Sequence, residues 1–382
     1  MALVVALIVV SPAIARFLRI PAIVVELILG MIIGRSILGL ISSEADWLST
    51  MATIGFIYLM FVVGLEVEIA LLKTNLKKVV LISTASFVAS LLMGYAVGIY
   101  FKLPALFIGV ALSTTSMGVV LPTVKEFMHM EELAHVLLGS AIVVDILSMF
   151  ALAYVIEAPI VGVMTVVLLL IAITLFTFLV YVARKFKGVR RLSLMIESKH
   201  YLGVRVSLAT IFTFAIMAEF VGVHAIIGSF FAGLIISELM GDVEVLVERL
   251  LSFGYGFFIP IFFISVGINT DIVSLIFNVR YLEVFIALFI AGYIGKVAGI
   301  IPVCRLLGFN KIESLSMGFA MSARLSLIVA AAELGLKSGL IGLDVYSILV
   351  LIAILSVIIS PSLSKYIIGK PSVVIPEEEL PP

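Results

Sequence analysis

Apolar stretches follow one another along almost the whole chain, separated by short polar or charged intervals. They fall at 2–17, 21–40, 50–72, 78–101, 104–124, 132–156, 159–183, 203–220, 223–241, 252–277, 281–304, 312–335 and 342–368. A helix needs about 17–25 such residues to cross the hydrocarbon core of a bilayer. The pattern therefore predicts an all-α membrane protein with thirteen transmembrane helices. The apolar start, Met1 to Val10, lacks a basic leader segment and reads as the first span.

The intervals assign the sides. One set holds Arg16, Arg19, Lys73, Lys77, Lys78, Lys125, the run Arg184, Lys185, Lys187, Arg190 and Arg191, then Lys199, Arg249, Arg305, Lys311, Lys365 and Lys370. The other set holds Arg35, Lys102, Arg280 and Lys337. The basic side is cytoplasmic by the positive-inside rule. The expectation is a multi-pass cell-membrane protein with its N-terminus outside and its C-terminus inside.

The apolar pattern repeats. AIVVELILGMIIG from Ala22 matches AIIGSFFAGLIIS from Ala225, an offset of 203. The same offset pairs Gly64 of FVVGLEVE with Gly267 of ISVGINTD, and Glu68 with Asp271. GVALSTTS from Gly109 resembles GFAMSARL from Gly318, an offset of 209. The second span starts inside and its counterpart starts outside, so the repeat is inverted. The expected organisation is a six-helix repeat at 1–156, a linker helix and cytoplasmic loop at 157–202, a second six-helix repeat at 203–370 and a short cytoplasmic tail at 371–382. Inverted repeats are the plan of alternating-access transporters, with the substrate near the midplane.

Composition agrees with lipid as the solvent. Hydrophobic residues make up 63% of the chain and charged residues 13%, against about 25% charged in soluble domains. Mean hydropathy is +1.33. Net charge is zero, which gives no footing for nucleic acid. The single cysteine, Cys304, excludes an intrachain disulfide, and the four scattered histidines match no zinc pattern. No cofactor is expected.

Against this background the buried charges stand out. Asp145 lies mid-span in GSAIVVDILSMF. An ionised carboxylate there costs several kcal/mol unless it meets water, a cation or a proton. Such a group can hold a proton and a small cation in turn, or join helices as an ion pair. Lys296, mid-span in GYIGKVAGI, is a natural partner for it. Thr114, Thr115 and Ser116 are placed to interrupt the fifth span, and Ser322, Ala323 and Arg324 occupy the matching stretch of the twelfth. Hydroxyls and unwound carbonyls can replace a cation's water shell; the alternative is back-bonding to an unbroken helix. Arg324 is permanently charged and is expected to support the site, by pairing with carboxylates or by compensating the carbonyl ends of interrupted helices. Glu26, Glu66 and Glu219 read as interfacial or helix-pairing groups, with Glu66 also a candidate at the ion site. Pro260 is expected to kink its span. His224 is placed to cap or pack.

PAIVVELILGMIIG, FVVGLEVE, STTSMGVVLPTVKEF, VVDILSMF, HAIIGSFFAGLIIS, PIFFISVGINTDI and GKVAGI run in this order over nearly the whole chain. Together they resemble the second group of monovalent cation:proton antiporters. The resemblance implies a mobile core of the fourth to sixth and eleventh to thirteenth spans. The first to third, seventh and eighth to tenth spans would form a dimerising scaffold, giving a homodimer. It places the ion-binding aspartate on Asp145, the core lysine on Lys296 and the crossover polar residues on Thr114, Thr115 and Ser116. The chain departs from the pattern at two points. Val144 stands where many members have a polar or acidic residue, which leaves one titrating group and points to electroneutral exchange. Leu325 and Ser326 follow Arg324 where Gly-Glu is frequent, which puts that arginine's family role in doubt. The tail PSVVIPEEELPP is too short for the nucleotide-binding domain that some relatives carry.

The expected function is exchange of Na+ or K+ for H+ by alternating access, without enzymatic activity. The alternative is a sodium-coupled symporter of a small organic anion held by helix dipoles and Arg324. An intramembrane hydrolase lacks paired mid-span carboxylates or an HExxH motif, and no channel filter signature is visible.

Overall fold

In a computed structural model, residues 1–41, 45–67, 75–124, 130–161, 202–220, 224–240 and 244–368 are described. Their regular structure is helical throughout. The elements are α1 (Ala2–Leu18), α2 (Ala22–Ile33), α3 (Asp46–Leu65), α4 (Leu76–Phe101), α5 (Ala105–Ser113), α6 (Met117–Val124) and α7 (Glu131–Val161). After the linker come α8 (Leu202–Phe220), α9 (Ala225–Met240), α10 (Glu244–Phe253), a π turn (Gly254–Phe258), α11 (Ile259–Asn269), α12 (Ile272–Phe277), α13 (Val279–Leu306), α14 (Lys311–Ala320), α15 (Ser326–Lys337) and α16 (Leu343–Ile368). Among the described residues, eight helices are long and apolar enough to cross a membrane. α1 and α2 form a further pair, bent by 119° at their junction. Of the span expected at 159–183, residues 159–161 belong to the end of α7; the rest, and with it most of the linker, lies outside the described residues, as does Glu68.

The helices fall into two packed groups. α4 packs on α5, α7 and α13, and α14 on α13 and α16; α2 packs on α11, and α3 on α9 and α11. Glycine makes the closest crossings possible. A methyl group added at Gly30 would lie 2.2 Å from the Ile264 carbonyl oxygen, and one at Gly267 would lie 2.2 Å from that of Leu27. A methyl at Gly233 would lie 2.1 Å from the Phe61 carbonyl oxygen, and one at Gly64 would lie 2.1 Å from that of Phe230. Adding 203 to Gly30, Leu27, Gly64 and Phe61 gives Gly233, Phe230, Gly267 and Ile264. The crossing of α2 on α11 is thus the repeat image of the crossing of α9 on α3. This exchange of partners is what a two-fold relation between the halves produces. Small residues let membrane helices approach this closely, which gives the packing its dispersion energy.

Among the described residues, two spans are broken by non-helical segments, one in each repeat, as the sequence leads one to expect. α5 stops at Ser113 and α6 starts at Met117, with Thr114 extended at φ −57° and ψ 158°. α14 stops at Ala320 and α15 starts at Ser326. The kink expected at Pro260 takes another form. Proline has no N–H to give to the carbonyl four residues back, and its ring crowds that carbonyl. The helix widens into the π turn at Gly254–Phe258, and Pro260 sits in the first turn of α11.

Candidate ion site

The two breaks meet each other. Each interrupted helix leaves carbonyls without intrahelical partners, and the partial negative charge of its C-terminus is buried. At the end of α5, Lys296 Nζ donates to the Ser113 carbonyl at 2.7 Å, and Arg324 Nε donates to that of Leu112 at 2.9 Å. At the end of α14, Thr115 Oγ1 donates to the Met321 carbonyl at 3.1 Å, and Arg324 Nη1 to that of Ser322 at 3.1 Å. Arg324 Nη2 reaches the Gly292 carbonyl on α13 at 2.6 Å. Lys296 also donates to Thr115 Oγ1 at 2.8 Å. Both cations are fully buried, at 0% exposure. Hydrogen bonds from a charged group are worth about 1.5–3 kcal/mol each. A single well-placed guanidinium fork can therefore hold three separate backbone segments together. Ser356 on α16 fixes the arginine itself: its hydroxyl oxygen accepts from the Arg324 N–H at 3.0 Å and lies 2.9 Å from the Arg324 carbonyl.

Lys296 thus faces the broken end of α5. Asp145 and Lys296 form no ion pair within 4.0 Å, in contrast to the pairing expected from the sequence. The physical reason is geometric. The unwound carbonyls at Ser113 and Leu112 need donors, and a lysine crossing behind them meets that need.

Asp145 lies on α7 across from the start of α6, and is 3% exposed. The backbone N–H of Met117, at the positive end of α6, acts on its carboxyl group. Its Oδ1 has no hydrogen-bond partner. Ser148 Oγ, one turn further along α7, is buried and also without a partner. The fields of Lys296 and Glu66 both reach the carboxyl group. A helix dipole contributes about 0.3–1 kcal/mol, rising to about 2 in favourable sites. That falls short of the several kcal/mol for burying a carboxylate. The remainder calls for protonation or a counter-charge, and Asp145 Oδ1 and Ser148 Oγ are the oxygens left open to one.

The other candidates divide. Thr114 Oγ1 donates back to the Ala111 carbonyl at 2.8 Å, and Ser322 Oγ to that of Gly318 at 2.8 Å. Their hydroxyl oxygens keep lone pairs but their protons are committed. The Ser116 carbonyl opens α6 by accepting from the N–H groups of Val119 and Val120. Glu66 ends α3, half-buried, and accepts from Tyr255 Oη of the π turn at 3.4 Å. Glu219 is exposed at the end of α8, as expected of an interfacial group. Glu26 is buried and hydrogen-bonded to Ser11 of α1, as expected of a helix-pairing group. Ser148 and Ser356 escape a reading that searches for charge. The spacing of three from Asp145 is the signal for the first; nothing local marks the second.

A family model described as "Sodium/hydrogen exchanger, transmembrane" matches residues 3–367. YjbQ of Bacillus subtilis is 32% identical over 362 residues; the alignment covers 90% of this chain but 58% of YjbQ. Probable Na+/H+ antiporter 3 of Methanocaldococcus jannaschii is 31% identical over 382 residues, with 96% of this chain and 95% of the relative covered. The solved structure of the sodium proton antiporter MjNhaP1 from the same archaeon superposes with a TM-score of 0.62 at 19% identity, over 96% of each chain, and so shares the fold. With a family match over nearly its full length, and with paired broken helices crossing beside a buried acid, the chain belongs to the sodium/hydrogen exchanger family.

Proposed function

We propose that this protein exchanges a monovalent cation, Na+ or K+, for a proton by alternating access, one for one, with Asp145 carrying each in turn. The observation that carries this reading is the unpartnered Oδ1 of a buried Asp145 at the start of α6. Facing one side, the protonated acid releases its proton. A cation then binds the carboxylate with oxygens of Ser148 and the unwound segment 114–116, and neutralises it. Only the neutralised forms cross the barrier, because an uncompensated carboxylate would carry its desolvation cost through the apolar seam. The two cations Lys296 and Arg324 stay bound to carbonyl ends and hold the crossover in shape. α4–α7 and α13–α16 form the moving core of a homodimer whose scaffold is α1–α3 and α8–α11. The protein sits in the cell membrane with its N-terminus outside.

The organic-anion alternative would need Arg324 to face a substrate carboxylate. Each of its three side-chain nitrogens instead donates to a main-chain carbonyl, and the residue is fully buried. Liposomes carrying the purified protein and an internal pH dye test the exchange. Added Na+ or K+ is expected to drive proton efflux that Asp145→Asn abolishes. Flux at the wild-type level in that variant ends the proposal.

A further inference from the structure

α1 contains Pro12, and α2 contains a buried glutamate, Glu26, 4% exposed. Neither has a part in the ion site. Pro12 has no N–H, so the Ile8 carbonyl four residues back lacks its helical donor. Ser11 Oγ lies 3.2 Å from that carbonyl and is placed to fill the gap. The same Oγ lies 3.2 Å from Glu26 Oε1. A serine hydroxyl carries one hydrogen and two lone pairs. If the hydrogen goes to Ile8, Oε1 can bond to Ser11 only by donating, and Glu26 is then a carboxylic acid. If the hydrogen goes to an ionised Glu26, the Ile8 carbonyl is left without its donor. Glu26 Oε2 would in that case be a buried charged oxygen with no partner at all.

The surroundings favour the acid. α11, packed against α2, carries no titratable side chain. α1 offers only Arg16, exposed in its last turn and, among the described residues, within 4.0 Å of no carboxylate. The π turn brings Tyr255, whose hydroxyl is directed to Glu66; the field of Glu26 reaches that tyrosine, and the field of Glu66 reaches Asp145. The neighbouring groups are therefore neutral or acidic. A lone ionised carboxylate among them would cost several kcal/mol, whereas a protonated one satisfies both Ser11 and Ile8.

We infer that Glu26 is a second proton-binding site, seated between α1 and α2 away from the exchange site. The ligand is the proton itself, and Ser11 reports its presence by the direction of its hydroxyl. The inference rests on hydrogen-bond valence and stands whether or not the exchange reading holds.

Infrared spectroscopy of the purified full chain in lipid nanodiscs at neutral pH tests it. The carbonyl stretch of a protonated carboxylic acid is expected in the wild type, to be lost in Glu26→Gln and retained in Asp145→Asn. Gln keeps an N–H to donate to Ser11, so this variant is expected to fold. Ser11→Ala gives a second reading: the band moves to higher frequency because the acid loses its acceptor. A spectrum unchanged by both Glu26→Gln and Ser11→Ala overturns the proposal, as does a spectrum in which Glu26→Gln removes only an ionised-carboxylate band.

Discussion

Lys296 Nζ donates to Thr115 Oγ1 at 2.8 Å, and the same hydroxyl donates onward to the Met321 carbonyl at 3.1 Å. One threonine thus joins α13, the break after α5 and the break after α14. Thr115→Val keeps the shape and removes both bonds, leaving a buried carbonyl and part of a buried ammonium unserved. The expected loss is about 1–3 kcal/mol. Thermal unfolding in detergent measures it, and Thr115→Ser is expected to recover most of it.

If one carboxylate serves protons and cations by turns, the two compete. The apparent KM for the cation is expected to rise as pH falls, approaching about tenfold per pH unit once the acid is mostly protonated, because a metal ligand must first lose its proton. Proton flux titrated with Na+ and K+ at several pH values provides the check. A KM independent of pH would separate the two ligands onto different groups.

Ser148 lies one turn from Asp145 with its hydroxyl unsatisfied. Under the proposed exchange, Ser148→Ala would remove one oxygen from the cation's shell and no hydrogen bond from the fold. The cation KM is expected to rise by about threefold to tenfold, the equivalent of one hydrogen-bond-sized interaction, with the melting temperature unchanged or slightly higher.

How much of this was legible in the sequence depends on the physical origin of each feature. Apolar runs and their basic flanks reflect a bilayer of fixed thickness, and the breaks at Thr114–Ser116 and Ser322–Arg324 fall where the polar residues indicate. Charge in lipid is conspicuous, so Asp145, Lys296 and Arg324 could be picked out one by one. Their partners could not. Lys296 turns to the Ser113 carbonyl because a helix end created in three dimensions needs a donor, and an unwound carbonyl has no signature in its own side chain. Ser356 is likewise one serine among many until α16 is laid beside Arg324. The π turn at Gly254–Phe258 is a local answer to Pro260 that a rule for kinks does not contain.

Arg324 makes three side-chain bonds to carbonyls on three segments. Arg324→Leu is expected to cost at least about 3 kcal/mol, as in the loss of one member of a buried charged network. Arg324→Lys keeps the charge but cannot span three acceptors with a planar fork, and is expected to recover only part. The melting temperature and the yield of folded protein after extraction report both.

The paired glycine crossings make a quantitative forecast. Gly64→Ala and Gly267→Ala are equivalent under the repeat, and each puts a methyl group against a carbonyl at 2.1–2.2 Å. Each is expected to destabilise by a similar amount, about 1–3 kcal/mol. Gly118→Ala, where a methyl would meet nothing within 4 Å, is expected to be neutral or stabilising. Unequal penalties at Gly64 and Gly267 would show that the two crossings differ in tightness.

Backbones that already touch have no slack left to give. With α2 clamped to α11 and α3 to α9 at van der Waals contact, the two repeats have no room to slide past each other at these crossings. Whatever displacement carries a cargo from face to face must be taken up away from these crossings.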